Sequence, residues 1–190
     1  MGRGVLIDYW SYAKKSYDPN TSFAITYDEL LACAKAQGVE FQYGDILIIR
    51  TGWIDAYNRL DYEQRKALAA PGSSYNENKF VGVEVTEAMA DFLHDNYFSV
   101  VAGDNPGFEV WPSDKDWNHH GNLLPLWGLP IGEMWDLEKL SEVCKKNNRY
   151  TFYFSSCPTN VPGKEVKTEG TIDDATNYAY QEVSGATPTP

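Results

Sequence analysis

Gly44-Asp45-Ile46-Leu47-Ile48-Ile49-Arg50-Thr51-Gly52-Trp53 decides the fold class. Four consecutive aliphatic residues between Gly-Asp and Thr-Gly leave no polar face for solvent, so the segment reads as a strand covered on both sides, central in its sheet. Upstream, Gly4-Val5-Leu6-Ile7-Asp8 is a second buried strand that starts almost at the first residue and ends on an acidic position. Between the two, Ile25-Thr26-Tyr27-Asp28-Glu29-Leu30 carries a helix start. Thr26 caps, Glu29 completes a capping box, and Ile25 staples to Leu30. The spacing predicts a helix from Tyr27 to Gln37, with Leu30, Leu31 and Ala34 on its apolar face and Gly38 as its stop.

Downstream the alternation continues. Met89, Phe92 and Leu93 recur at helical spacing behind a Thr86 cap, and His94 falls in the polar last turn, where it is solvated or answers the helix dipole. Phe98-Ser99-Val100-Val101-Ala102 is the next strand, and Gly103 to Glu109 is the loop at its C-terminal end, the place where α/β proteins collect ligands. Asp136 to Cys144 reads as an amphipathic helix and Tyr150 to Phe154 as an aromatic strand of period two. Strand and helix alternate throughout, so the class is α/β. From Trp53 to Asn78 the pattern weakens; Asp61 to Ala70 reads as helical and Ala70-Pro71-Gly72 as a turn. Residues 1–163 are expected to form one domain, and the polar, Thr- and Gly-rich stretch 164–190 a disordered tail.

The balance of 16 basic against 27 acidic residues, a formal charge of −11, argues against a nucleic-acid partner, since phosphate binding needs a basic surface. Lys145, Lys146 and Arg149 are grouped where a helix ends and suit its dipole. No apolar run approaches a membrane span and the first residues show no signal-peptide pattern, so a soluble cytoplasmic protein without membrane partners is expected. Cys33, Cys144 and Cys157 have neither disulfide nor zinc-ribbon spacing and read as buried thiols. GxSxG, P-loop and GxGxxG motifs are all lacking, which removes serine-hydrolase, NTPase and dinucleotide readings.

Chemistry concentrates in His119-His120-Gly121-Asn122-Leu123-Leu124-Pro125-Leu126-Trp127-Gly128-Leu129-Pro130-Ile131-Gly132-Glu133, which holds two of the three histidines. His120 and Glu133 suit a divalent metal or an acid/base pair if the Gly and Pro residues between them turn the chain back. A loop histidine bonded to backbone and a surface glutamate fit the spacing as well. Adjacent side chains diverge in extended structure, so His119 is not expected to share a metal with His120. Asp104, Asn105 and Glu109 either line a pocket or form turn contacts around Pro106-Gly107. Arg50 meets an acidic substrate or pairs with a carboxylate. Trp53, Trp111, Trp117, Trp127 and Trp135 flank the region, as core or as walls of an aryl pocket.

Gly2 to Asp8, Gly44 to Trp53, Val101 to Glu109, His120 to Glu133 and Phe154-Ser155-Ser156-Cys157-Pro158-Thr159-Asn160-Val161-Pro162-Gly163, in that order, resemble the putative cyclase family, which includes the metal-dependent kynurenine formamidases, and look most like its fungal branch. The resemblance implies an α/β fold with a central mixed or β-barrel-like sheet flanked by helices, a Zn or Mn cofactor and homo-oligomerisation. It also implies hydrolysis of an aryl formamide, N-formyl-L-kynurenine, in tryptophan catabolism, or of a related lactone or isatin-like ring. It makes His120 and Glu133 metal-site and catalytic residues, with Asp104, Asn105, Glu109, His119 and Trp127 around the substrate. The family's H-x-G-T-H-x-D motif precedes the Gly-Arg-Gly-Val-Leu strand at which this sequence begins. The expectation is therefore a truncated member with an incompletely liganded metal, either a hydrolase or an inactive binding protein.

Overall fold

The structure, a computed structural model, describes residues 1–68 and 79–156. In chain order its elements are β1 (Gly2–Ile7), α1 (Tyr9–Tyr12), β2 (Ala24–Ile25), α2 (Tyr27–Ala36), β3 (Ile46–Ile49), α3 (Trp53–Asn58), α4 (Tyr62–Leu68), β4 (Gly82–Val83), α5 (Glu87–Asp95), β5 (Val100–Gly103), α6 (His119–Leu123), β6 (Ile131–Gly132), α7 (Glu138–Asn147) and β7 (Thr151–Phe154). The expected tail at 164–190, the turn at Ala70-Pro71-Gly72 and Cys157 lie outside the described residues.

Five strands form one sheet in the order β6-β5-β3-β1-β7, so the Ile46–Ile49 run is its middle strand. The first four are parallel, with Leu6 opposite Ile48 and Ile48 opposite Ala102; β7 closes the far edge antiparallel to β1. Among the described residues the sheet is mixed and open rather than barrel-like. Because strand side chains alternate, Val5, Ile7, Leu47, Ile49 and Val101 enter one core with α2 and α5. Leu6, Ile46, Ile48 and Ala102 enter a second core with α7 and Phe152. Both faces are thus dry, which is why these strands carry continuous aliphatic runs.

The helix signals act locally. Thr26 accepts from the Glu29 amide while Glu29 reaches back to the Thr26 amide, and Thr86 accepts from Met89 N. The helix α3 lacked any such signal: its N-cap is Gly52, at φ +86 and without a side-chain hydrogen bond. That glycine is required twice over, since a Cβ there would also lie 2.3 Å from the Trp10 indole. Arg50 takes the ion-pair role. Its buried guanidinium bonds Asp8 at 2.8 Å and both Glu138 oxygens at 2.8 and 2.7 Å, tying the ends of β1 and β3 to α7. Cys33 and Cys144 are buried free thiols, and burial pushes both up to about 12. Among the described residues no helix is long and apolar enough to cross a membrane.

Candidate active site

The parallel strands all end on one side, and the loops after β5 and β6 meet there. Asp104, the first residue after β5, is fully buried and accepts from Thr51 N at 2.6 Å, Thr51 Oγ1 at 2.7 Å and Gly52 N at 2.8 Å. It therefore clamps the β3–α3 turn to the end of β5. Burial pushes its carboxyl up to about 6, against the pull of those three hydrogen bonds. Asn105 Nδ2 donates to Val81 O at 2.8 Å, Phe108 O at 3.3 Å and Gly107 O, which fixes the shape of the loop. Its backbone carbonyl accepts from Met134 N and that of Gly103 accepts from Trp135 N, both at 3.1 Å. These two bonds pin the segment carrying Glu133 beside β5.

Glu109 is delivered by strand-like pairing. Val83 N donates to Phe108 O at 3.2 Å and Val110 N to Val83 O at 2.9 Å, so β4 runs beside the loop. The approach is close enough that a Cβ on Gly82 would sit 2.2 Å from the Glu109 carbonyl carbon. His120 comes from α6, whose start Asn118 caps by accepting from Gly121 N at 2.7 Å. The local structure is helical, not the extended chain assumed from sequence, yet adjacent side chains still diverge, by about 100° in a helix. His119 consequently turns into the protein. It is fully buried, its ring Nε2 is 2.8 Å from Glu84 O, and Trp117 meets it edge-on. With Nε2 donating to that carbonyl, Nδ1 is a buried acceptor without a partner among the described residues. Burial lowers the His119 pKa and keeps the ring neutral.

His120 faces the other way, into a line of three side chains. Its Nδ1 stands 2.8 Å from Glu109 Oε2, its Nε2 2.9 Å from Glu133 Oε1, and its amide donates to Glu109 Oε1 at 3.3 Å. Hydrogen bonds to Glu109 and then Glu133 raise the His120 pKa to about 10, against a smaller opposing effect of burial. Both ring nitrogens face carboxylate oxygens, an arrangement that a doubly protonated ring satisfies by donating from each. For Glu109, burial pushes the carboxyl up, but the bond from His120 and its charge outweigh this and hold it below the usual range. The line opens into a pocket of about 390 Å³ whose polar lining is Glu109, Asn118, His120 and Glu133 and whose apolar lining is Phe80, Pro106, Gly107 and Trp111.

Of the residues singled out from sequence, Glu109, His120, Glu133 and Trp111 are together at this pocket. Asp104, Asn105 and His119 are not in its wall; they hold the loop and helix that shape it. Trp127 also lies outside that wall, packed edge-on against His94 with ring centroids 4.9 Å apart. Phe80 and Asn118 were missed. Asn118 had a readable sign, an Asn directly before a short helix. Phe80 had none, because its place depends on a bridge to Trp111 thirty-one positions away.

The donors fit the expected metal in kind. An imidazole nitrogen and a carboxylate oxygen facing one pocket suit Zn or Mn, and Glu109 behind the ring is the carboxylate that metal-bound histidines carry on their second nitrogen. Among the described residues no set of three His, Cys, Asp or Glu side chains is placed to hold an ion. Ligands beyond His120 and Glu133 would thus be water, substrate or groups outside those residues.

A family model described as putative cyclase matches residues 1–110, which includes Glu109 and stops short of His120. The crystal structure of a novel cyclase superimposes with a TM-score of 0.71 and 32% identity, over 86% of this chain and 50% of that one. The chain therefore spans half the length of that relative. The comparison with curated proteins returned no match.

Proposed function

The chain belongs to the putative cyclase family, and from that membership we propose that it is a hydrolase of the arylformamidase type, cleaving N-formyl-L-kynurenine to L-kynurenine and formate in tryptophan breakdown. The observation that carries this reading is the Glu109–His120–Glu133 line at the mouth of a pocket with aromatic walls. In the reaction a water oxygen adds to the formyl carbon, the carbon–nitrogen bond breaks, and the departing aryl amine takes a proton. Glu133, a half-exposed carboxylate, accepts the proton from the water. His120 holds a proton at Nε2, beside Glu133, and donates it to the amine nitrogen. Glu109 holds the ring at Nδ1 and keeps Nε2 aimed at the pocket. A divalent metal on His120 and Glu133, in place of the Nε2 proton, would supply acidified water and polarise the formyl oxygen.

The test is formate release from N-formyl-L-kynurenine by the purified chain, with and without added Zn or Mn, alongside lactone and isatin-like substrates. Turnover that falls at least about 100-fold in His120→Ala supports the reading; none in any metal state removes it. A ligand-binding protein without turnover is the second reading, favoured by the two-donor set. Binding of substrate without formate would establish that instead.

A further inference from the structure

We propose that Phe80 and Trp111 form the wall on which this site selects its ligand: a planar aromatic ring lies against them while its carbonyl-bearing substituent reaches His120 and Glu133, and Gly107 keeps the slot between them open. The inference rests on the reading of this pocket as a substrate site.

Phe80 N donates to Trp111 O at 3.0 Å and Trp111 N to Phe80 O at 3.1 Å, the reciprocal exchange of an antiparallel pair. Residues paired in this way put their side chains on the same face. Their neighbours Val81 and Val110 are buried in the protein, so alternation sends both rings to the pocket side, where both line the cavity. Several other aromatic residues here are held by rings. Tyr17 stacks on Phe23 at 4.1 Å, and Phe41, Phe92 and Phe98 meet edge to face. Phe80 and Trp111 have no ring partner among the described residues, and Trp111 is 41% exposed. Its backbone carbonyl is nevertheless fixed by Phe80 N and by Ser22 Oγ at 3.1 Å. A large, partly exposed indole on a pinned backbone, facing a cavity, is costly to leave in water and suited to covering an apolar plane.

Gly107 sets the distance from this wall to the polar groups. A Cβ there would lie 3.0 Å from the Phe80 ring and 3.9 Å from Glu133 Oε1, so even a methyl group would occupy the gap between wall and carboxylate. Its φ lies outside the left-handed region, so the backbone would accept alanine and the glycine is there for space.

The experiment measures binding of acetophenone and of cyclohexyl methyl ketone to the purified chain by ligand-observed NMR. The two ketones match in size, differ in planarity and have no carbon–nitrogen bond to cleave, so binding is read separately from turnover. Acetophenone is expected to bind about three- to tenfold more tightly. Trp111→Leu and Phe80→Leu should each shrink that preference, and Gly107→Ala should weaken both ligands. Two wall variants guard against one failing to fold, which circular dichroism reports. An absent preference, a preference that survives both leucine variants, or no binding at all overturns the proposal. His120→Ala is expected to keep the aryl preference whatever it does to hydrolysis. A wild-type chain that prefers acetophenone but releases no formate leaves this wall standing and sinks the hydrolase reading alone.

Discussion

Asp104 offers a test of whether burial or hydrogen bonding dominates at the base of the site. Its carboxylate accepts three hydrogen bonds, which favour ionisation, but it is wholly shielded from water, and burial takes its pKa from 3.8 to about 6. Because the folded pKa is raised, the native state binds the proton more readily than the unfolded chain. The group's stabilising contribution is complete below about pH 4 and is lost as pH rises through about 6. A shift of that size corresponds to about 3 kcal/mol, and full burial calls for no solvent discount. Asp104→Asn does not titrate, so its stability relative to wild type should improve by about 2 kcal/mol between pH 4 and pH 7.5, most of the full effect. Urea denaturation of both proteins across that range measures the difference directly, and other carboxylates cancel because both proteins share them. Parallel stability profiles, or a gap that moves the other way, would show that the bonds from Thr51 and Gly52 keep the group ionised and that the argument from burial is wrong.

Arg50→Ala leaves the buried Asp8 carboxylate without its counter-charge and removes both bonds to Glu138, and should cost about 3–5 kcal/mol in chemical denaturation; less than about 1 kcal/mol would mean that water reaches the network. Gly82→Ala drives a methyl group into the backbone at Glu109, so it should destabilise the fold and disturb the His120 ring resonances in NMR together, whereas stability loss with an unchanged ring would separate β4 from the site. Glu109→Gln keeps the shape but removes the charge behind the His120 ring; Zn or Mn affinity measured by titration calorimetry should fall about 10- to 100-fold, and an unchanged affinity would mean that the ring is not oriented by Glu109.

What could be read along the chain is what depends on neighbours a few residues apart. The capping box of Thr26 and Glu29, the Thr86 cap and the aliphatic run of β3 each encode their element within one turn or one strand, so element type, the central position of Ile46–Ile49 and the α/β class were legible. Where such local signals are weak, the reading failed: α3 starts on a left-handed glycine rather than a side-chain cap, and α6 is too short to show a period.

The site divides along the same line. That His120 and Glu133 are the titratable pair of their segment was legible from residue type; that they meet was not. Glu109, Asp104, Asn105 and His119 all read as residues around a pocket; Glu109 lines it and binds the other side of the ring, while the other three hold up its walls. Phe80 left no trace at all. Sequence alone determined which residues could bond, ionise or pack, because those properties belong to the side chain and its immediate neighbours. Only the tertiary structure decided which of them meet, because the parallel register of β5 with β6 and the pairing of β4 with the following loop bring Glu109, His120, Glu133 and the Phe80–Trp111 wall to one end of the sheet.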